Sequence, residues 1–180
     1  MPGLRGLEFY LSEYHAKGEA AFARARPYAV LTFGRLAGGD SHTGLTRTEG
    51  VSRDIARLVA EASLDSMRKL GNLSRTTVLE LRPKAGEERV TLGRAHENDV
   101  IIPQSTVSKF HATFIQLEDG RWSLQDLGSR NGTLLNGHRL RADWPAATLE
   151  DGDHLTFGSV PTTFWSSAAF RRLLANLLPG

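Results

Sequence analysis

Apolar residues near the start of the chain recur at steps of three and four residues, the spacing of amphipathic helices. A first helix is predicted between Gly6 and Arg26, and Pro27 marks its end. A second is predicted from a cap at Ser52 to a stop at Gly71. The two apolar stripes consist of Leu7, Tyr10, Leu11 and Tyr14, and of Ile55, Leu58, Val59, Ala62, Met67 and Leu70.

The segment between these two helices has a different pattern. A short apolar run over residues 28–33 leads into a stretch at 37–44 that is rich in Gly, Ser and Asp, which are typical of loops. We therefore expect residues 1–75 to form a helical N-terminal extension with a flexible loop near residues 37–50.

From Thr76 onward the apolar period changes to two, or to short apolar runs bounded by turn residues. Many short strands separated by Asn-Gly and Asp-Gly turns predict an antiparallel two-sheet β-sandwich over residues 76–166. Helical spacing returns after Ser167, so residues 167–180 are expected to form a C-terminal helix packed on the sandwich. The predicted fold class is thus mainly β, with helices at both ends.

Composition narrows the class of protein. A chain of 180 residues with 40% hydrophobic content has room for one domain, an extension and a substantial core. Its 22 Lys and Arg residues against 20 Asp and Glu leave a net charge of +2, which argues against a nucleic-acid-binding surface. With no cysteine and no apolar run of about 18 residues, we expect a cytoplasmic protein without thiol chemistry, signal peptide or membrane span.

Cationic and hydroxyl side chains collect on turns between the predicted strands. Arg94 follows a glycine at a strand end, Ser108 and Lys109 lie together in a second turn, and Arg130 and Asn131 lie in a third. A phosphate dianion has oxygens that accept hydrogen bonds, and Arg, Lys and Ser are the donors that match them. The sequence therefore predicts an anion-binding loop face.

The order of the motifs makes this prediction more specific. Along the chain they are Gly93-Arg94, Ser108-x-x-His111, Asp126-Leu127-Gly128-Ser129, Asn131-Gly132-Thr133, Asn136-Gly137, Asp151-Gly152-Asp153 and Phe157-Gly158. In this order they resemble the forkhead-associated (FHA) domain family over about half of the chain. The resemblance implies an FHA-type sandwich that binds phosphothreonine on a partner protein through loops at one end. It implies no catalysis, no cofactor and no metal.

The resemblance also assigns roles to the phosphopeptide-binding residues. Arg94 matches the arginine that binds two phosphate oxygens, and Ser108 matches the serine that donates its hydroxyl to the phosphate. Lys109 stands where the family often has arginine, so the charge is kept but the bidentate contact is lost. Arg130 would add a second cation, and Asn131 matches the asparagine that hydrogen-bonds the peptide backbone.

Three further residues are expected to support the site. His111 matches the family histidine that holds the binding loops from beneath without touching the ligand. Gly93 and Gly132 are expected at turns where a Cβ atom would clash.

Other kinds of site have less support in the sequence. The histidines lack the close spacing of metal ligands. No serine lies in a Gly-x-Ser-x-Gly turn, which argues against a hydrolase. Acidic residues interrupt the basic residues of the first helix, so nucleic-acid binding is not expected. Without a long apolar run, a membrane partner is not expected either.

The function predicted from these observations is phosphothreonine-dependent protein binding in signalling or in assembly of a complex. The alternative is a phosphate-independent scaffold or structural subunit that assembles through the sandwich and the N-terminal helices. Self-association is a further hypothesis, either through those helices or through a phosphorylated Thr43, Thr46 or Thr48 bound by the loop face of a second copy.

Overall fold

The computed structural model describes residues 5–34 and 76–178. The second predicted helix and the predicted loop near residues 37–50 lie outside this range. The strands and helices are β1 (Arg5–Gly6), α1 (Leu7–Lys17), α2 (Glu19–Ala25), β2 (Ala29–Gly34), β3 (Thr76–Leu81), β4 (Arg89–Gly93), β5 (Val100–Ile101), β6 (Ala112–Gln116), β7 (Trp122–Asp126), β8 (Thr133–Leu135), β9 (His138–Arg139), β10 (Ala147–Leu149), β11 (His154–Phe157), β12 (Val160–Trp165) and α3 (Ser167–Leu177).

The strands form the two sheets of a β-sandwich, as predicted. The larger sheet has seven strands in the order β1-β3-β2-β12-β11-β8-β9, and the smaller has five in the order β10-β7-β6-β4-β5. Their pairings are antiparallel except between β4 and β5, which are parallel. Most neighbouring strands thus run in opposite directions. The end of one strand therefore lies beside the start of the next, and the loops that join them lie close together at the same end of the molecule.

The larger sheet is buried on both faces where β2 and β3 lie. Ala29 and Leu31 of β2 belong to the core between the sheets, whereas Val30 belongs to a second core on the outer face, beneath the helices. This second core is built from Leu7, Tyr10, Tyr14, Phe22, Val30, Val78, Phe170, Leu173, Leu174 and Leu177. The apolar stripe of α1 is therefore covered by the chain itself.

The predicted domain boundary after residue 75 needs correction. Residues 29–34 form β2, which lies between β3 and β12 inside the larger sheet, and residues 5–6 form β1 at its edge. A strand buried on both faces has a continuous apolar run without alternation, and such a short run fits a buried helical segment equally well, so the pattern of residues 28–33 did not assign them to a strand. The sandwich therefore includes residues on both sides of the boundary.

The first predicted helix is interrupted at Gly18. This glycine has a φ of 73°, a left-handed conformation that a helix interior does not contain, and it ends α1 and precedes α2. The C-terminal helix α3 is capped by Ser166, whose Oγ accepts from the Ala169 N–H at 3.2 Å. It lies on the outer face of the larger sheet and not at an end of the sandwich. Among the described residues no helix is long and apolar enough to cross a membrane.

Candidate functional site

Four connections meet at one end of the sandwich. They are residues 94–99, 102–111, 127–132 and the turn at 158–159, which follow or precede strand ends that the sheet pairings bring together. Hydrogen bonds join each of these connections to a neighbour, and all the predicted site residues lie on them or directly beside them. We call this region the loop face.

Arg94 begins the first connection and is held against the second. Its N–H donates to the Ser108 carbonyl at 2.9 Å, and its side-chain Nε–H donates to the Val107 carbonyl at 3.2 Å. These bonds fix the start of the loop and the orientation of the guanidinium. The side chain is otherwise exposed, so its terminal amino groups are available to bind an anion from solvent.

Ser108 is oriented by the third connection. Its Oγ accepts a hydrogen bond from the Arg130 N–H at 3.0 Å. A hydroxyl has one proton to donate and two lone pairs that accept. Because the contact with Arg130 uses a lone pair, the Ser108 proton is free to donate to a bound oxygen.

His111 lies beneath Ser108 and is completely buried, at 0% exposure. Its Nδ1 accepts from the Ser108 N–H at 3.0 Å, which places the ring proton on Nε2, 3.3 Å from the Gly132 carbonyl that accepts it. Burial lowers the pKa of His111, and the opposing effects of Gly132 and Asp126 are smaller. The neutral ring thus connects the second loop to the third.

Asn131 makes a second bridge between the same loops. Its Nδ2 donates to the Thr106 carbonyl at 2.7 Å, and the Thr106 Oγ1 lies 2.8 Å from the Ser159 Oγ in the turn after β11. Gly158 allows this close approach, because a Cβ at that position would clash with the Thr106 carbonyl. The Asn131 side chain is therefore oriented while the residue remains exposed to solvent.

Asp126 organises the third connection from inside. Its Oδ1 accepts from the N–H groups of Gly128 and Ser129, both at 2.9 Å, and its Oδ2 accepts from the hydroxyls of Ser129 and Thr133, both at 2.7 Å. Burial by itself would raise the pKa of Asp126, but these hydrogen bonds together lower it. The carboxylate is thus fully used in shaping the loop.

The sequence placed Asp126 in a motif without assigning it a role, and it did not single out Thr106. Asp126 precedes Ser129 by three residues, and this spacing is a signal for side-chain-to-backbone turns. Thr106 carried no comparable signal, because its contacts are with residues distant in the sequence.

The cations of the loop face are not neutralised by neighbouring carboxylates. Arg94, Lys109 and Arg130 are exposed, and within the described ranges the ion pairs all involve other cations. The Lys109 carbonyl accepts from Ala95 N–H at 3.1 Å and from Asn98 Nδ2 at 2.7 Å, so the backbone beside its side chain is fixed. A small chain of low net charge therefore has a local excess of positive charge around Ser108.

Comparison with known proteins matches this part of the chain to one family. The FHA domain profile matches residues 90–158. An ABC transporter ATP-binding/permease protein of Mycobacterium tuberculosis is 37% identical over 107 residues, which cover 57% of this chain and 12% of that protein. The glycogen accumulation regulator GarA of Mycolicibacterium smegmatis is 30% identical over 110 residues, which cover 58% and 66% of the two chains.

A solved FHA domain of an Arabidopsis thaliana hypothetical protein is 30% identical, with a TM-score of 0.43 and coverage of 49% of this chain and 73% of that one. The chain spans 12% of the transporter and 19% of a second relative, the transcriptional regulatory protein EmbR of Mycobacterium bovis. The matched residues include the first three connections of the loop face and Gly158 of the fourth. The chain belongs to the forkhead-associated (FHA) domain family.

Proposed function

We propose that the loop face binds a phosphothreonine-containing segment of a partner protein and that the chain acts as a regulatory binding module without catalysis. Arg94, Ser108 and Lys109 bind the phosphate, Arg130 adds positive charge, and Asn131 hydrogen-bonds the peptide backbone. Gly93, His111 and Gly132 support these residues from below. The binding takes place in the cytoplasm, where kinases and ATP supply the modification.

One observation carries this proposal: exposed cations surround a serine hydroxyl whose proton is free to donate. Ser108 accepts from the backbone of Arg130, and its own carbonyl accepts from the backbone of Arg94. The three residues are thereby held together before any ligand binds. Charge-assisted hydrogen bonds each contribute about 1.5–3 kcal/mol, and a prearranged site loses less of this to ordering.

The relatives support a regulatory role. GarA is named as a regulator, and an oxoglutarate dehydrogenase inhibitor of Corynebacterium glutamicum is 31% identical over 98 residues. The first name describes a protein that regulates glycogen accumulation, and the second describes one that inhibits oxoglutarate dehydrogenase. Because the chain belongs to the FHA family, we expect the phosphorylated residue that it binds to be phosphothreonine.

The test is a binding assay with a library of phosphothreonine peptides and with the same peptides carrying threonine or phosphoserine. We expect the wild-type chain to bind phosphothreonine peptides only, and Arg94→Ala to weaken that binding at least about tenfold, which corresponds to about 1.4 kcal/mol. Arg121→Ala is the matched control, because Arg121 is an exposed arginine paired with Asp119 at the far end of the β6–β7 hairpin.

Equal binding of phosphorylated and unphosphorylated peptides would overturn the proposal and favour the phosphate-independent scaffold. Full binding by an Arg94→Ala chain that is still folded would exclude Arg94 as the phosphate ligand. Circular dichroism and thermal unfolding of both variants establish whether the fold is kept.

A further inference from the structure

Arg139 reaches the loop face from outside it. The residue lies on β9, the edge strand of the larger sheet, and pairs with Leu134 of β8. Its guanidinium lies against Gly132: a Cβ on that glycine would be 2.6 Å from Arg139 Cζ, 2.7 Å from Nη2 and 2.8 Å from Nε. Only a residue without a side chain leaves room for the guanidinium, so Gly132 is the surface on which Arg139 rests.

The Gly132 peptide is fixed by three loop-face residues. Its N–H donates to the Ser129 Oγ at 3.0 Å, and its carbonyl accepts from the Gly158 N–H at 3.0 Å and from the His111 Nε2–H at 3.3 Å. The φ of Gly132 is 86°, which again suits glycine. The position of the guanidinium is therefore tied to that of Asn131, the preceding residue.

Arg139 is an exposed cation without a carboxylate partner among residues 5–34 and 76–178. Arg141, two residues further on, differs in this respect, because its Nε and Nη2 donate to the two carboxylate oxygens of Asp143 at 3.1 and 3.0 Å. The guanidinium of Arg139 packs one side against the Gly132 peptide. Its N–H groups point outward around the edge of the plane, which is the geometry that grips a carboxylate.

We propose that Arg139 binds an aspartate or glutamate side chain of the same peptide whose phosphothreonine occupies the loop face. This inference rests on the proposed function. Asn131 is bonded on one side to Thr106, which lies two residues before Ser108, and on the other side it directly precedes Gly132, against which Arg139 rests. A peptide backbone held by Asn131 therefore brings its neighbouring side chains close to Arg139. An acidic side chain among them neutralises the positive charge of the Arg139 guanidinium.

The experiment uses short phosphothreonine peptides in pairs, with aspartate or asparagine at each flanking position in turn. Because aspartate and asparagine differ mainly in charge, the affinity ratio within a pair measures the preference for an acid. We expect one flanking position at which aspartate binds the wild-type chain about two- to fivefold more tightly, the range of exposed ion pairs. This ratio falls to about one in Arg139→Gln and shrinks with added salt.

Arg141→Gln is the control, since it removes a neighbouring exposed arginine that is already paired. It should leave the aspartate preference unchanged. If Arg139→Gln keeps the full preference while Arg94→Ala abolishes phosphopeptide binding, the inference about Arg139 is overturned and the proposed function stands. If no phosphothreonine peptide binds the wild-type chain, both fail.

Discussion

His111 shows how one buried side chain controls the position of two binding loops. It accepts from the backbone of Ser108 through Nδ1 and donates to the Gly132 carbonyl through Nε2. The contact with Ser108 needs the neutral ring, because a protonated Nδ1 cannot accept a hydrogen bond, and the contact with Gly132 then places the proton on Nε2. The positions of Ser108 and of Gly132, the glycine beneath Arg139, thus depend on one imidazole.

This dependence predicts how the free energy of unfolding changes with pH. Burial lowers the pKa of His111 in the folded state, whereas the unfolded chain titrates near the ordinary value of about 6.5. The folded state favours neutral His111, so its contribution is complete above about pH 6.5 and is lost as the pH falls from there toward the lower folded pKa. An NMR titration should show a midpoint for the His111 ring below the ordinary value.

The matched comparison is urea unfolding of wild type and His111→Gln at neutral and mildly acidic pH. Wild type should lose more of its free energy of unfolding on acidification than the variant, since the variant lacks this titrating group. A His111 midpoint at or above the ordinary value would contradict the account of the loop support.

The arrangement of the loop face also depends on a close contact between the backbones of two of its connections. Gly93 ends β4 at the point where the backbone of Lys109 crosses it, and a Cβ there would clash with the Lys109 carbonyl oxygen and lie 2.8 Å from Asn98 Nδ2. The clash is with backbone, which no change of side-chain rotamer relieves. Glycine is therefore required at position 93 because a side chain would clash with the Lys109 backbone, and not because the backbone has a positive φ.

Gly93→Ala should push the Ser108–Lys109 loop away from Arg94. We expect a loss of about 1–3 kcal/mol in the free energy of unfolding, the usual cost of overpacking, together with weaker phosphopeptide binding. Gly6→Ala is the control, because its Cβ would meet nothing nearer than the Thr76 carbonyl at 3.9 Å. Denaturant unfolding measures the first effect and peptide titration the second, and equal behaviour of the two variants would contradict the prediction.

The elements of the fold differ in how much of them the sequence reveals. The short strands from β3 onward were predictable, because turn residues bound them and many have one apolar face. β2 was missed because it is buried on both faces, and the break at Gly18 was missed because one glycine does not interrupt the apolar spacing. Local patterns contain no information about which distant element covers a strand.

The same limit applies to the site. Arg94, Ser108 and Asn131 lie within short motifs, so their positions could be read from the sequence. Arg139 lies outside the loops in sequence and reaches the loop face only through the pairing of β9 with β8. Its contact with Gly132 depends on the three-dimensional fold.

At the level of the whole molecule, the FHA sandwich and residues 5–34 are one structural unit. β2 connects β3 to β12, and the helices cover the outer face of the same sheet. Ion pairs of Arg26 with Glu13 at 3.0 Å and with Glu80 at 2.7 Å tie the helices to β3. Residues 5–34, which contain β1 and β2, are thus required to complete the larger sheet.

A truncated chain of residues 76–180 should consequently fail to fold. It loses the strand between β3 and β12, and with it Leu31, which is fully buried and contributes about 1.5–3 kcal/mol. A chain of residues 28–180 keeps β2 and should fold with a lower Tm, because Leu7, Tyr10 and Phe22 no longer cover the sheet. A cooperative unfolding transition in the shorter chain, measured by circular dichroism, would disprove this prediction.

NMR mapping of the backbone amides shows directly whether a phosphothreonine peptide binds at the loop face. A ¹H–¹⁵N spectrum of the full chain is recorded during titration with a phosphothreonine peptide from the library, and again with its unphosphorylated form. We expect the largest shifts at residues 93–95, 106–109 and 129–132, with the phosphorylated peptide only. Shifts centred on the helices, or equal shifts with both peptides, would contradict this expectation.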